Sequence, residues 1–358
     1  MKKEIVDFLL NHADPSIVLR VKKEVLGDLS REDENALIGD IILQKNVQTV
    51  LKSQQADGWF GNGFHGQSPT RGVGIYNNME VGLRYLAEKG LPPENDFIRR
   101  AVQSFLIREP FDPTYGMKRP ETPETDYQYT ASGLYLARSS IIIRAGYEEV
   151  LPKNGFINLA HDIDLSLKTF ANVSNYAAAD DVIDRHRKKP CFEQGALWPC
   201  LYHLRMLAHS HGWRNEKNAA ALADGVSRLL SFEHSDEMVY TYKKGQYVGP
   251  CFAFINSQYR ILGLDTMGSR ALSLDILELF ARCGIVQQVS VLKSKYNHVL
   301  SLVDNSLNTM MSVNRRRDHD WSPYFGFALE ETWRNKINVQ CDILFRILLI
   351  IHYAEDSR

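Results

Sequence analysis

Carboxylates spaced three and four residues apart can share one face of a helix and there hold a divalent cation. Asp180-Asp181-Val182-Ile183-Asp184 has that spacing, which makes Asp180, Asp181 and Asp184 candidate magnesium ligands. A second acidic run, His161-Asp162-Ile163-Asp164, offers His161 and Asp162 as candidates for proton transfer. The same acids also suit the first turn of a helix, whose amino end favours negative charge.

Small-molecule sites are mostly apolar pockets with a few directed polar groups, so aromatic residues beside isolated polar ones are the other candidates. Three clusters fit: Trp59, Phe60, His65 and Tyr76; then Asp126, Tyr127 and Tyr129; then Glu193, Trp198, Tyr202 and His203. Within them Asp126, Tyr127, Glu193 and His203, with His161 and Asp162, can move protons. The aromatic residues and His65 would line the substrate. A late group, Asp318, His319, Asp320, Trp321 and Tyr324, could add Trp321 and Tyr324 to that lining, or be a polar turn before the last helix. For any one of these residues the competing role is a packed aromatic whose polar tip is hydrogen-bonded.

The elements that must position these groups are helices. Ala36, Leu37, Ile41, Val47, Val50 and Leu51 fall on one helical stripe, and Phe97, Ile98, Ala101, Val102, Phe105 and Leu106 on another; strand-like alternation is scarce. About a dozen helices are expected, among them 15–27, 74–89, 126–146, 157–172, 191–210, 252–262 and 332–353. Between them lie turn signals such as Gly90-Leu91-Pro92-Pro93, His211-Gly212-Trp213 and Gly263-Leu264-Asp265. Helices in series joined by short turns form antiparallel hairpins, which assemble as an open solenoid or a closed ring. Two longer irregular stretches, Gly58 to Gly72 and Glu109 to Asp126, interrupt the series.

Composition narrows the function classes. Hydrophobic residues make up 44% and charged residues 24%, enough apolar material for a large core. The 42 basic and 43 acidic residues leave a formal charge of −1, so no net field draws in nucleic acid. Two basic runs, Arg185 to Lys189 and Arg315 to Arg317, read as solvated loop charge that could also hold a phosphate or carboxylate. The greasy run Ile343 to Ile351 is broken by Arg346 and far shorter than the ~20 residues a membrane span needs, so it reads as a buried helix and no transmembrane segment is expected. Five scattered cysteines without a C-x-x-C pair, and an amino terminus lacking a signal-peptide core, point to a reducing cytoplasm.

One stretch carries a recognisable repeat. From Val47 to Leu106, Gln54-Gln55-Ala56-Asp57-Gly58-Trp59-Phe60 closes one helix, Tyr76 to Lys89 forms the next, and Gly90-Leu91-Pro92 turns into Asn95 to Ile107. With Gln54, Gly58 and Trp59 or Phe60 in its places, this run resembles the glutamine-tryptophan repeat of the terpenoid cyclase and protein prenyltransferase superfamily, which includes the squalene cyclase-type repeats. The early segments Pro15 to Arg20 and Leu26-Gly27-Asp28 are similar to the entry helix of small uncharacterised bacterial members. The resemblance implies one α/α-toroid domain over residues 1–358, with the helix from Trp333 to Tyr353 closing the ring. It also implies inner helices around a central cavity, catalytic groups near its mouth, and a glutamine that ties helix ends together.

The same resemblance restricts the chemistry. The Asp-x-Cys pair of the zinc-dependent prenyltransferases does not occur, and His161 to Asp164 lacks the last acid of the Asp-x-Asp-Asp cluster of the protonating cyclases. Asp180 to Asp184 matches the magnesium- and diphosphate-binding run of ionising terpenoid synthases, but no second magnesium run follows it. Three readings stay open. The first is a terpenoid cyclase-like or prenyltransferase-like enzyme acting on a hydrophobic small molecule, its aromatics steadying a carbocation. The second is a carbohydrate-active lyase or hydrolase on a similar toroid, with Tyr and His as base and acid and Arg71 or Arg119 neutralising a carboxylate. The third is a binding or scaffold protein with a plugged centre.

Overall fold

A computed structural model of the chain describes residues 1–61, 63–65, 78–108, 131–148, 157–186, 188–193, 196–232, 237–243, 246–248, 252–254, 270–303, 307 and 328–355. It is predominantly helical, as the periodicity predicts. The described α-helices are α1 (Lys2–His12), α2 (Pro15–Arg20), α3 (Arg31–Leu43), α4 (Lys45–Lys52), α5 (Met79–Glu88), α6 (Asp96–Ser104), α7 (Ala131–Arg144), α8 (Leu159–Asn172), α9 (Leu201–His209), α10 (Glu216–Ser231), α11 (Arg270–Arg282), α12 (Ser290–Ser301) and α13 (Lys336–Glu355). A π-helical turn, Val21–Leu26, extends α2. Side-chain oxygens of Ser30, Asn78, Asn95, Asn158 and Asn215 cap α3, α5, α6, α8 and α10 by accepting from first-turn amides.

Burial separates the later helices into two sets. Every residue of α5 is buried, as are residues 135–143 of α7, Leu201 to Ala208 of α9, residues 273–281 of α11 and the middle of α13. The alternating helices α6, α8, α10 and α12 bury one stripe and expose the rest. Within the buried set α5 packs on α7, α7 on α9, α9 on α11 and α11 on α13, while α8 covers α7 and α9 and α10 covers α8. The chain ends meet, because α1 lies along α13.

One cap recurs where buried helices end. In Glu88-Lys89-Gly90-Leu91, Arg144-Ala145-Gly146-Tyr147 and Arg282-Cys283-Gly284-Ile285 the glycine takes φ of +93°, +90° and +75°. The next residue's amide bonds back to the carbonyls of Leu86, Ile142 and Phe280 respectively. This is the Schellman closure, which needs a residue tolerant of the left-handed region. Short turns follow α5 and α11, and a longer one leads from Arg144 to Leu159, whereas the longest connections lead into the buried helices, from Lys52 to Met79, Ser104 to Ala131, Asn172 to Leu201, Ser231 to Arg270 and Ser301 to Lys336. The amino ends of the buried helices thus all receive the long segments.

Several expectations need correction. The stripe from Ala36 to Leu51 is two helices, since the chain breaks at Gln44, whose ψ of 137° is extended. Residues 191–210 are not one helix: a hairpin of β1 (Ile183–His186) and β2 (Lys189–Phe192) precedes α9. Residues 252–254, expected helical, instead form a bridge between Ala253 and Cys200. Pro190 just before residues 191–210 and Pro199 in their middle lack a backbone donor, which the apolar periodicity hides. A second hairpin pairs β3 (Thr241–Lys243) with β4 (Gln246–Val248).

Ile343 to Ile351 is a buried helical run, as expected. Among the described residues α13 alone is long and apolar enough to cross a membrane, and 67% of that window is buried inside the molecule. Where α8 and α10 cross, a Cβ on Gly225 would stand 2.0 Å from the Phe170 carbonyl oxygen. We therefore expect Gly225→Ala to destabilise the protein by about 1–3 kcal/mol, overriding the ~1 kcal/mol helix-propensity gain. A lowered urea midpoint checks this; an unchanged or raised one contradicts the packing.

Candidate functional site

Among the polar groups of the described buried helices are one at the helices' amino ends and one nearer their carboxyl ends. The first is built where three distant segments meet. Asn78 caps α5 by accepting from Val81 N at 2.9 Å. The Gly63 and Phe64 carbonyls accept from Met79 N and Glu80 N at 3.0 and 3.1 Å, so residues 63–65 lie over the start of the helix. This sets the His65 ring against the Glu80 carboxylate, to which its Nδ1 is hydrogen-bonded. From α9, Tyr202 donates its hydroxyl to the other Glu80 oxygen at 2.7 Å.

Phe252 completes this group, edge-on to the Tyr202 ring at 5.5 Å and to the His65 ring at 6.5 Å. Its φ of +50° is unusual for a bulky side chain, a strain of about 1–3 kcal/mol that surrounding contacts must hold. Glu80 and Tyr202 are each 1% exposed, whereas the His65 side chain keeps 31% of its surface. Burial alone would lower the histidine pKa, but the Glu80 charge and hydrogen bond outweigh it and raise it above 6.5. Burial would likewise raise Glu80, yet His65 and Tyr202 together hold it below the usual carboxylate range. A carboxylate that accepts from Nδ1 fixes the ring orientation and stabilises the imidazolium, leaving Nε2 as the position for proton exchange.

The second group is a lattice of ion pairs. Glu88 of α5 accepts from Arg20 of α2 and Arg144 of α7, each at 3.0 Å, and lies 3.8 Å from Arg346 of α13. Glu278 of α11 accepts from Arg346 at 2.6 Å and from Arg282 at 2.8 Å. Arg282 also reaches Glu24 at 2.7 Å and Tyr353 at 2.8 Å. Burial disfavours charge on Glu24 and Glu88, but the surrounding arginines hold both well below the usual range. Arg205 of α9 sits 3.4 Å from Asp275. Burial, and then the Arg205 charge, push Arg84 down to about 10, which still leaves it cationic at neutral pH.

Of the residues singled out from sequence, His65 and Tyr202 come together, though they belonged to different clusters. Trp59 and Phe60 are 3% and 0% exposed; Trp59 packs edge-on to Phe105 at 5.5 Å with Arg108 over its face, so both are core residues. Trp198 stacks between Tyr176 and Phe232. His203 is not placed as an acid or base: its Nδ1 accepts from Cys200 N at 3.1 Å, closing the start of α9, and burial lowers its pKa to about 4. Asp162 is fully buried and accepts from Ser139 at 2.6 Å, while its neighbour His161 is exposed. Adjacent helical residues are turned about 100° apart, so one can face the core while the other faces solvent. Glu193 is exposed beside β2.

The expected shared helical face of Asp180, Asp181 and Asp184 is not formed. Asp180 and Asp181 lie in a 3-10 turn and Asp184 in β1. The Asp181 carboxylate caps that turn, accepting from Ala177 N and Ala178 N at 2.6 and 3.1 Å. Among the described residues no group of three or more His, Cys, Asp and Glu is placed to hold a metal. Tyr76, Asp126, Tyr127, Tyr129, Trp321 and Tyr324 lie outside the described residues, as do Arg71, Arg119 and the group from Asp318 to Asp320.

Sequence reasoning missed Glu80 and the arginine lattice. A signal existed for each. Glu80 and Arg84 stand one turn apart inside an otherwise apolar helix, and the charged residue two places before the helix-ending glycine recurs as Glu88, Arg144 and Arg282. No protein-family model, curated protein or solved structure matches the chain.

The His65 and Glu80 shifts give the pair a pH window. A raised histidine stabilises the fold fully below its unfolded value and loses that contribution as pH rises through the folded value. A depressed carboxylate stabilises above its unfolded value and loses it as pH falls. The pair therefore contributes most between the ordinary carboxylate range and the raised His65 pKa. Nuclear magnetic resonance titration of the His65 ring should find a midpoint above 6.5 that drops in Glu80→Gln; equal midpoints in both proteins would refute the coupling.

Proposed function

We propose that the protein is an α/α-toroid enzyme that performs acid–base chemistry with His65 at the rim formed by the amino ends of α5 and α9, on a small polar substrate of the carbohydrate class. Support for the toroid comes from the alternation of buried and half-exposed helices, the packing order α5, α7, α9, α11, α13, and the Arg346–Glu88 approach that links the last of these to the first. Gln54 supports kinship with the terpenoid cyclase and prenyltransferase repeat. Its side-chain amide donates to the carbonyls of Gly58 at 3.0 Å and Phe97 at 2.9 Å, tying the end of α4 to α6.

The observation that carries the functional reading is the Glu80 carboxylate shared by His65 and Tyr202. A partly exposed histidine backed by a buried carboxylate can withdraw a proton from a substrate carbon or hydroxyl and return it to a leaving oxygen. Tyr202 holds Glu80 and is a positioning residue. The Glu80 charge and hydrogen bond raise the His65 pKa above its ordinary value, which stabilises the imidazolium. Carbocation chemistry instead needs an aromatic-walled cavity, and the described aromatics Trp59, Phe60 and Trp198 are packed in the core. A lyase or hydrolase is thus favoured over a cyclase.

Thermal unfolding in the presence of uronate oligosaccharides, and separately of magnesium with isoprenyl diphosphates, tests the choice, since a ligand that binds the native state raises its melting temperature. We expect a rise with the oligosaccharides, with turnover reduced about 10²- to 10⁴-fold in His65→Gln. A rise with the diphosphates alone would restore the isoprenoid reading, and no response to either would favour a scaffold.

A further inference from the structure

Residues 329–333, which lead into α13, are fastened to the first half of the chain by a further set of polar groups. Asp342 of α13 accepts from Leu329 N at 2.6 Å, Glu330 N at 3.2 Å and Trp333 Nε1 at 2.6 Å. Asp14, just ahead of α2, accepts from Glu331 N at 2.6 Å and from Gln44 Nε2 at 3.3 Å. The Glu331 carboxylate accepts from Lys45 N at the start of α4, and its carbonyl accepts from Asn46 Nδ2 at 3.2 Å. Lys89, fully buried just past α5, donates its ammonium to the Leu329 carbonyl and to Gln44 Oε1, the latter at 2.8 Å.

Glu330 is the member that does not fit as an anion. It is 3% exposed; its Oε1 accepts from Asp14 N at 2.9 Å, while its Oε2 is buried with no hydrogen-bond partner. Asp342 holds the Glu330 amide and Glu330 holds the Asp14 amide, so its carboxyl sits in line with two others. The Lys89 ammonium faces this group but directs its bonds to Leu329 and Gln44 instead. Glu331 adds only negative charge, and burial pushes the Cys341 thiol up, which keeps it neutral. At Asp342 burial raises the pKa, but its three donors favour the anion. An ionised Glu330 would face like charges with an unsolvated oxygen, whereas a protonated one avoids both costs. Burial, with the Asp342 and Asp14 charges, accordingly pushes Glu330 up to about 9 against the Asp14 hydrogen bond and the Lys89 charge.

We propose that residues 329–333 form a proton-held strap, which ties α13 to α2, α4 and the end of α5 while the Glu330 carboxyl carries a proton and comes free when that proton leaves. Ionisation places a third carboxylate between Asp14 and Asp342, and the strap relieves the repulsion by lifting Glu330 into water. This device stands independently of the acid–base reading at His65.

Glu330→Gln keeps the shape and removes the proton. A carboxyl raised on folding contributes fully below its unfolded value and loses that contribution as pH rises through the folded one, here about 9. Burial brings Lys89 down to about 8, and its titration acts in the opposite sense above that value. Urea unfolding is therefore compared between about pH 5.5 and 7.5, where the folding constant of the wild type should fall about tenfold per pH unit relative to Glu330→Gln, the signature of one proton. Trypsin cleavage after Arg334, read by mass spectrometry, should accelerate several-fold more in the wild type than in the variant between about pH 7.5 and 9.5 as the strap opens. Parallel pH slopes in the two proteins, or equal acceleration of cleavage, would overturn the proposal. Should the variant not fold, carbon NMR of the wild type labelled at its glutamate carboxyls decides. One carboxyl still protonated at neutral pH supports the strap, and none refutes it.

Discussion

Glu88 and Glu278 are the pins of this structure. Each is a carboxylate buried among arginines from other helices, and between them they join α2, α5, α7, α11 and α13. Burying such pairs gains little over apolar packing, but removing one partner leaves a charge stranded in low dielectric. The lattice therefore acts less as a source of stability than as a constraint on register. A helix that slid by one turn would lose its partners and strand its own charge. The recurring cap explains how the sequence delivers the charges there: the residue two before each closing glycine, Glu88, Arg144 and Arg282, is the last on its helix.

Because the carboxyl-terminal halves of the buried helices are filled by this lattice, little room is left there for a substrate. The amino ends differ. They receive the long connections, and there the His65 ring stays partly exposed over a buried carboxylate. Rigid helices fix Glu80 and Tyr202, while His65 and Phe252 come from the segments between helices. That division sets a rigid helical scaffold against polar and aromatic groups carried on its connections.

Helix periodicity made the class of fold legible, and the glycine signals at Gly90 and Gly212 marked true turns. Gln54 was legible as a residue at a helix end, but its bond to the Phe97 carbonyl, 43 residues on, was not. Nor were other pairings across the chain. His65 and Tyr202 lie far apart in sequence, and nothing local announces that Glu80 joins them. Buried arginines mislead for a related reason: Arg346 reads as a break in an apolar run, although its charge is satisfied by Glu278 from another helix. The Asp180 to Asp184 run failed because spacing implies a shared face only if the backbone is helical, and the chain there passes from a 3-10 turn into a strand.

The account rests on the ion lattice binding the buried helices into one cooperative unit. Native-state hydrogen exchange measured across a denaturant series tests this most directly, because it resolves which helices open together. Amides in α5, α11 and α13 should converge on a single opening free energy equal to that of global unfolding. If α13 opened separately at a markedly lower free energy, its Arg346 would not be the tie that the structure implies, and the account would fail.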